Sequence, residues 1–196
     1  MRDLEARSET LGISTNELMN NAGFSIASHI AKNMGPMKGL RVVSLVGTGN
    51  NGSDCLIASG HLAKWGASVT AVILKPRSEP DLRRQETLEE GVSLIDISEG
   101  KENCAFSSIH SLLINAHIIV DGILGIGTRL PIRDPFKTVL SDIRALKEKK
   151  AKFFSIDVPS GVDSDTSAVD PTAFKPDVTL ALGHLKPCHV NQPAAD

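Results

Sequence analysis

The chain has 196 residues, with 21 basic and 23 acidic side chains, a formal net charge of −2, and 41% hydrophobic residues. At roughly 150 residues per domain this is about one domain, expected to span residues 1–196 around a single core. The near-zero charge argues against a nucleic-acid or membrane-surface partner, and no apolar run approaches the ~18 residues that a bilayer-crossing helix needs.

The charged start, Met1-Arg2-Asp3-Leu4-Glu5, is not followed by an apolar signal-peptide core, so a soluble, cytoplasmic protein is expected. Cys55, Cys104 and Cys188 are odd in number and far apart, which favours reduced thiols over a disulfide framework or a zinc site. Tyrosine is absent, and every mechanism built on a tyrosine acid goes with it.

Ser14 precedes Glu17 by three positions, a capping-box spacing that opens a helix. Leu18, Met19, Ala22, Ile26 and Ile30 recur at helical spacing until Gly35-Pro36, with Met19 read as core or as a dimer contact. An apolar β-rich run at 40–46 predicts a buried strand, and 54–65 a helix. Further strands are expected at 69–74, 92–97, 118–120, 153–156 and 178–182, with helices at 82–90 and 106–113. Asp134-Pro135 reads as an N-cap with proline at the first helical position, followed by the stripe Val139, Leu140, Ile143 and Leu146. Lys147 to Lys150 reads as a solvated helix end. Apolar strands alternating with helices predict an α/β protein, a three-layer α/β/α Rossmann-like, doubly wound and mostly parallel sheet.

In such sheets ligands bind beyond the carboxyl ends of the strands. Three polar, glycine-containing turns follow strands: Gly47-Thr48-Gly49-Asn50-Asn51-Gly52-Ser53-Asp54, Asp121-Gly122-Ile123-Leu124-Gly125-Ile126-Gly127-Thr128, and Asp157-Val158-Pro159-Ser160-Gly161. Gly47, Gly49 and Gly52 fit G-x-G-x-x-G, a pattern equally suited to a phosphate cradle and to a plain strand-to-helix turn. The acidic residue that would hold a ribose hydroxyl in ordinary dehydrogenases is missing, because the second strand runs into Leu74-Lys75-Pro76. Ser53 stands where a Walker lysine would be.

Taken together, Leu18-Met19-x-x-Ala22-Gly23, Gly49-Asn50-Asn51-Gly52-x-Asp54, Asp121-Gly122-x-x-Gly125-x-Gly127, Asp157-x-Pro159-Ser160-Gly161 and Gly183-x-x-Lys186 resemble the YjeF N-terminal domain family, the NAD(P)H-hydrate epimerases. The resemblance covers nearly the whole chain. It implies interconversion of the R and S forms of hydrated NADH or NADPH at C6 of the nicotinamide ring, one potassium ion per subunit, and a homodimer. It also implies fusion, in many members, to a hydrate dehydratase, so the chain is expected to be a domain of a longer bifunctional protein. Carried over by position, substrate contacts fall at Asn50, Asn51, Gly52, Ser53, Asp54, Gly125, Ile126, Gly127, Thr128, Arg129, Leu130, Pro131 and Asp157. Asn51, Asp121 and Ser160 would hold potassium, a set of hard oxygen donors unlike a zinc site. Ser53, Cys55 and Cys188 replace glycines usual in the family; Ser53 and Cys55 each add a Cβ expected either to narrow the phosphate approach or to require negative φ.

Loss of the C6 hydroxyl by push from the ring nitrogen leaves a planar cation that water re-enters from either face. That chemistry asks for an acid and then a base, and Asp157 is the candidate, with Lys186 assisting by binding phosphate or tuning the carboxylate. Ser160 lacks a nucleophile elbow. None of the six histidines shows metal-ligand spacing, though His184 and His189 flank Lys186 and read as site-lining or as surface loop residues. Alternative functions are a binding module that kept the fold and lost turnover, and a conventional NAD(P) oxidoreductase.

Overall fold

Ser14 and Glu17 form the reciprocal cap that their spacing predicts: Glu17 N–H donates to Ser14 Oγ at 3.2 Å, and Ser14 N–H to Glu17 Oε2 at 2.9 Å. The fold is that of a computed structural model, which describes residues 8, 12–77, 81–98, 102–146 and 151–195. Helix α1 (Thr15–Met34) buries Gly23, Ile26, Ala27 and Ile30 and ends at Gly35, whose φ of +81° suits glycine. Leu18 and Met19 are only half-buried and lie outside the core, so Met19 is not the core residue its spacing suggests.

Strand β1 (Arg41–Val46) leads into α2 (Asn50–Lys64), β2 (Ser68–Ile73), α3 (Leu82–Glu89) and β3 (Ser93–Asp96). Next come α4 (Glu102–Asn115), β4 (Ile118–Gly122), α5 (Phe136–Ala145), β5 (Lys152–Ile156) and β6 (Val178–Leu180). All neighbouring strands pair in parallel in the order β3-β2-β1-β4-β5-β6. Strand order therefore reverses at β1, which pairs with both β2 and β4, and this is where a doubly wound sheet leaves its crevice.

Alternate residues of β1 face opposite layers. Val42 and Val46 pack with Ile26, Ile30, Leu56 and Leu62 of α1 and α2, whereas Val43 and Leu45 pack with Leu113, Leu140 and Ile143 of α4 and α5. Both faces are thus covered, as the uninterrupted apolar strands predict.

Several boundaries differ from the sequence reading, three of them for a clear local reason. Helix α2 begins at Asn50 rather than 54, because polar residues and glycine fill its first turn and carry no apolar stripe. Strand β4 continues through Asp121 and Gly122, which pair with Leu45 and Val46. Helix α5 begins at Phe136 with Pro135 as its N-cap; Asp134 caps from one residue further out, accepting from Thr138 N–H at 3.2 Å and Thr138 Oγ at 2.7 Å. The expected charged helix end at Lys147 to Lys150 lies outside the described residues, as does the side chain of Cys104.

Candidate active site

The turn after β1 is closed by backbone contacts that leave no room for a side chain at Gly47 or Gly52. A Cβ at Gly47 would sit 1.8 Å from Ile123 O, and one at Gly52 would sit 2.1 Å from Gly47 O. Gly49 caps α2 without a side-chain bond, so the first-turn amides of α2 face the end of the sheet without an internal cap. Arg77, just beyond β2, fastens this turn: it donates to Gly47 O at 2.6 Å and Ser53 Oγ at 2.8 Å, and pairs with Asp81 at 2.5 Å. Sequence reasoning missed Arg77 because it sought only an acidic residue after the second strand.

The turns after β4 and β5 meet in an oxygen-rich cluster. Asp121, fully buried, accepts from Ser160 Oγ at 2.6 Å and Ile123 N–H at 3.2 Å on one oxygen, and from Ser155 Oγ and Ser160 N–H, both at 2.9 Å, on the other. Leu124 N–H donates in turn to Ser160 Oγ at 2.9 Å. Asn51 Nδ2 donates to Leu124 O at 2.7 Å and Ile156 O at 3.1 Å, so Asn51, Asp121 and Ser160 belong to one connected cluster. Burial pushes the Asp121 carboxyl above its ordinary range, against the hydrogen bonds of Ser160, Ile123 and Ser155. Among the described residues no basic side chain pairs with it.

Asp157 directly follows β5 with φ +62°, a strained conformation for a residue bearing a side chain. Its N–H donates to Leu180 O at 2.9 Å, and Oδ1 accepts from Leu182 N–H at 3.0 Å and from Lys186 Nζ. Both partners are largely buried, Asp157 at 8% and Lys186 at 9% exposure, and Lys186 Nζ also reaches Leu182 O at 2.7 Å. Oδ2 of Asp157 takes no protein donor among the described residues.

These groups border a cleft of about 370 Å³ lined by Thr48 to Asn51, Asp54, residues 123–128, Asp157 and Leu182. That volume falls within the ordinary range for small-molecule sites. Of the sequence-predicted contacts, Asn50, Asn51, Asp54, Gly125, Ile126, Gly127, Thr128 and Asp157 line it. The others do not. Gly52 is buried against Gly47, Ser53 turns to Arg77, and Arg129, Leu130 and Pro131 lie past the lining. Asp121, Ser160 and Lys186 stand behind the wall rather than on it.

Residues 15–188 match the family model described as YjeF-related protein N-terminus. The chain belongs to this family. It is 32% identical to an NAD(P)H-hydrate epimerase of Schizosaccharomyces pombe, over 89% of this chain and 71% of that one. It is 34% identical to a bifunctional NAD(P)H-hydrate repair enzyme of Hyperthermus butylicus, over 97% of this chain but only 34% of that one, so it spans about a third of that relative. The crystal structure of the yeast protein YNL200c superposes with a TM-score of 0.76 at 25% identity, covering 95% of this chain and 80% of that one.

At the positions where this YjeF-related chain lacks the usual glycines, the backbone takes conformations open to any residue. Ser53 and Cys55 sit inside α2, where any L-residue fits, and neither they nor Cys188 has a positive φ. Cys55 is fully buried and would touch any Cβ at Gly122, at 2.5 Å. Burial and the nearby Asp121 carboxylate push its thiol up to about 12. Cys188 is buried with Val158 and Val162.

Proposed function

We propose that the chain catalyses interconversion of the R and S epimers of hydrated NADH or NADPH. The observation that carries this reading is a carboxylate, Asp157, held on one oxygen by Lys186 and Leu182 while it borders a cleft at the strand-order reversal. Its other oxygen is left to transfer a proton.

Asp157, protonated, gives its proton to the departing C6 hydroxyl as the ring nitrogen's lone pair expels it. The carboxylate then faces a planar cation, which its charge stabilises. Water adds to either face, Asp157 takes a proton back, and the cycle closes with no net redox change. Lys186 keeps the carboxylate in place. The open amides at the start of α2 receive the pyrophosphate.

The buried oxygen cluster fits a monovalent cation. A carboxylate removed from water needs a compensating charge, and Asn51, Asp121, Ser160 and the converging carbonyls of Leu124 and Ile156 are hard oxygen donors. Potassium bound there supplies fixed positive charge near the pyrophosphate. The same reading carries a homodimer, as the family resemblance implies, and a cytoplasmic location.

Purified protein incubated with one isolated epimer tests the proposal: wild type speeds equilibration, and Asp157→Asn loses about 10² to 10⁴ of that rate. A variant that keeps most of the rate removes Asp157 from the chemistry.

A further inference from the structure

His189 lies in the short 3-10 turn Pro187–His189 directly after Lys186, and is half-buried. Its ring touches the backbones of both residues assigned above to proton transfer. Lys186 N–H lies 2.9 Å from Nδ1, and Asp157 O lies 2.7 Å from Nε2. A peptide N–H only donates and a carbonyl only accepts, so these two contacts require Nδ1 bare and the proton on Nε2. One neutral tautomer satisfies both.

The bond to Asp157 O has a particular task. Asp157 holds φ +62°, and a strained backbone persists only when its surroundings over-determine it. Its N–H is fixed by Leu180 O and its Oδ1 by Leu182 N–H and Lys186 Nζ, while its carbonyl is fixed by His189. The second ring nitrogen fixes the start of the turn that carries the lysine. His184, equally close to Lys186 in sequence, is exposed.

We propose that His189, as its Nε2–H tautomer, is a positioning residue that ties the Asp157 backbone to the Lys186 backbone and so sets the carboxylate–ammonium pair for epimerisation. The inference rests on the roles given to Asp157 and Lys186 above. His189 touches no substrate and transfers no proton. Its effect is geometric, and a displacement of about 1 Å at a reacting group is enough to cost on the order of 100-fold in rate.

Two measurements test it. The ¹⁵N spectrum of the ring in the intact, ¹⁵N-histidine-labelled chain at neutral pH reads the tautomer without any variant. Nε2–H is expected, and Nδ1–H overturns the proposal. Epimer exchange is then followed in His189→Leu and His189→Gln beside Asp157→Asn. The leucine variant is expected to lose about 10- to 100-fold in kcat with KM changed less than about threefold, the pattern of misplaced chemistry rather than lost binding. Glutamine, which offers one acceptor and one donor, is expected to recover most of that loss.

A leucine variant with wild-type kcat, or a glutamine variant as slow as leucine, overturns the inference while an inactive Asp157→Asn leaves the proposed function standing. An active Asp157→Asn overturns the acid–base assignment and with it the catalytic meaning of the tie, whatever the ring spectrum reads.

Discussion

Asp121 shows how one side chain ties fold to site. It belongs to a central strand, yet it carries a charge where its neighbours Ile119 and Val120 are apolar and fully buried. Four hydrogen bonds hold it, and the proposed potassium would compensate its charge; the loss of either should be measurable. Replacing potassium by tetramethylammonium should lower Tm, since a ligand at about 100 times its Kd contributes roughly 2.7 kcal/mol. Asp121→Asn and Ser160→Ala should abolish that potassium increment in a thermal melt, whereas retention of the full shift would place the ion elsewhere. Cys55 supports a second prediction. With its thiol at about 12, iodoacetamide near pH 8 should leave it unmodified in the native chain and label it after urea unfolding, as mass spectrometry of the peptide would report. Labelling of native protein would show that α2 opens readily from the sheet.

At the scale of elements, the motifs legible in the sequence turn out to be contacts between elements. Gly23 of α1 meets α2 so closely that a Cβ would lie 2.4 Å from Ile57 Cγ2 and 2.5 Å from Ile57 Cβ. Gly23→Ala should therefore cost about 1–3 kcal/mol in urea unfolding, and adding Ile57→Ala should not rescue it, because alanine keeps the Cβ that lies 2.5 Å away. Asp170 joins the segment after β4 to the segment after β5, accepting from Ile132 N–H at 2.8 Å and from Thr172 N–H at 2.9 Å. Burial raises its carboxyl, but the bonds from Thr172 and Ile132 and the charge of Lys137 outweigh it, leaving it below its ordinary 3.8. A depressed acid stabilises the fold above its unfolded value, so this contribution is lost as pH falls below about 4. Asp170→Ala should lose about 1–3 kcal/mol at neutral pH and show a shallower acid limb, because a buried N–H loses its acceptor. Neither Asp170 nor Arg77 stood out in the sequence. Each acts on backbone groups brought close only by tertiary folding, and no periodicity or motif spacing records that.

For the molecule as a whole, the fold was legible because its strands are short, apolar and punctuated by glycine, while its helices carry apolar stripes. Strand order was not: only pairing reveals that β1 lies between β2 and β4. Of the candidate site, Asn51, Asp121, Asp157 and Ser160 stand out in sequence as polar residues at the ends of apolar strands, and the structure gathers them at one crevice. His189 stands out in sequence only as a neighbour of Lys186, not as a contact of Asp157 32 residues away, and Arg129 to Pro131, placed by motif position, lie past the cleft lining. One crevice at the strand reversal is proposed to perform one reaction, and a single assay tests it. A chromatographically isolated epimer of hydrated NADH or NADPH is incubated with the protein in potassium buffer, and the appearance of the other epimer is timed against a blank. Equilibration well ahead of the blank is expected, slowed when potassium is removed and abolished by Asp157→Asn. Equilibration at the blank rate with intact, folded protein, or hydride transfer to an acceptor in its place, would contradict it.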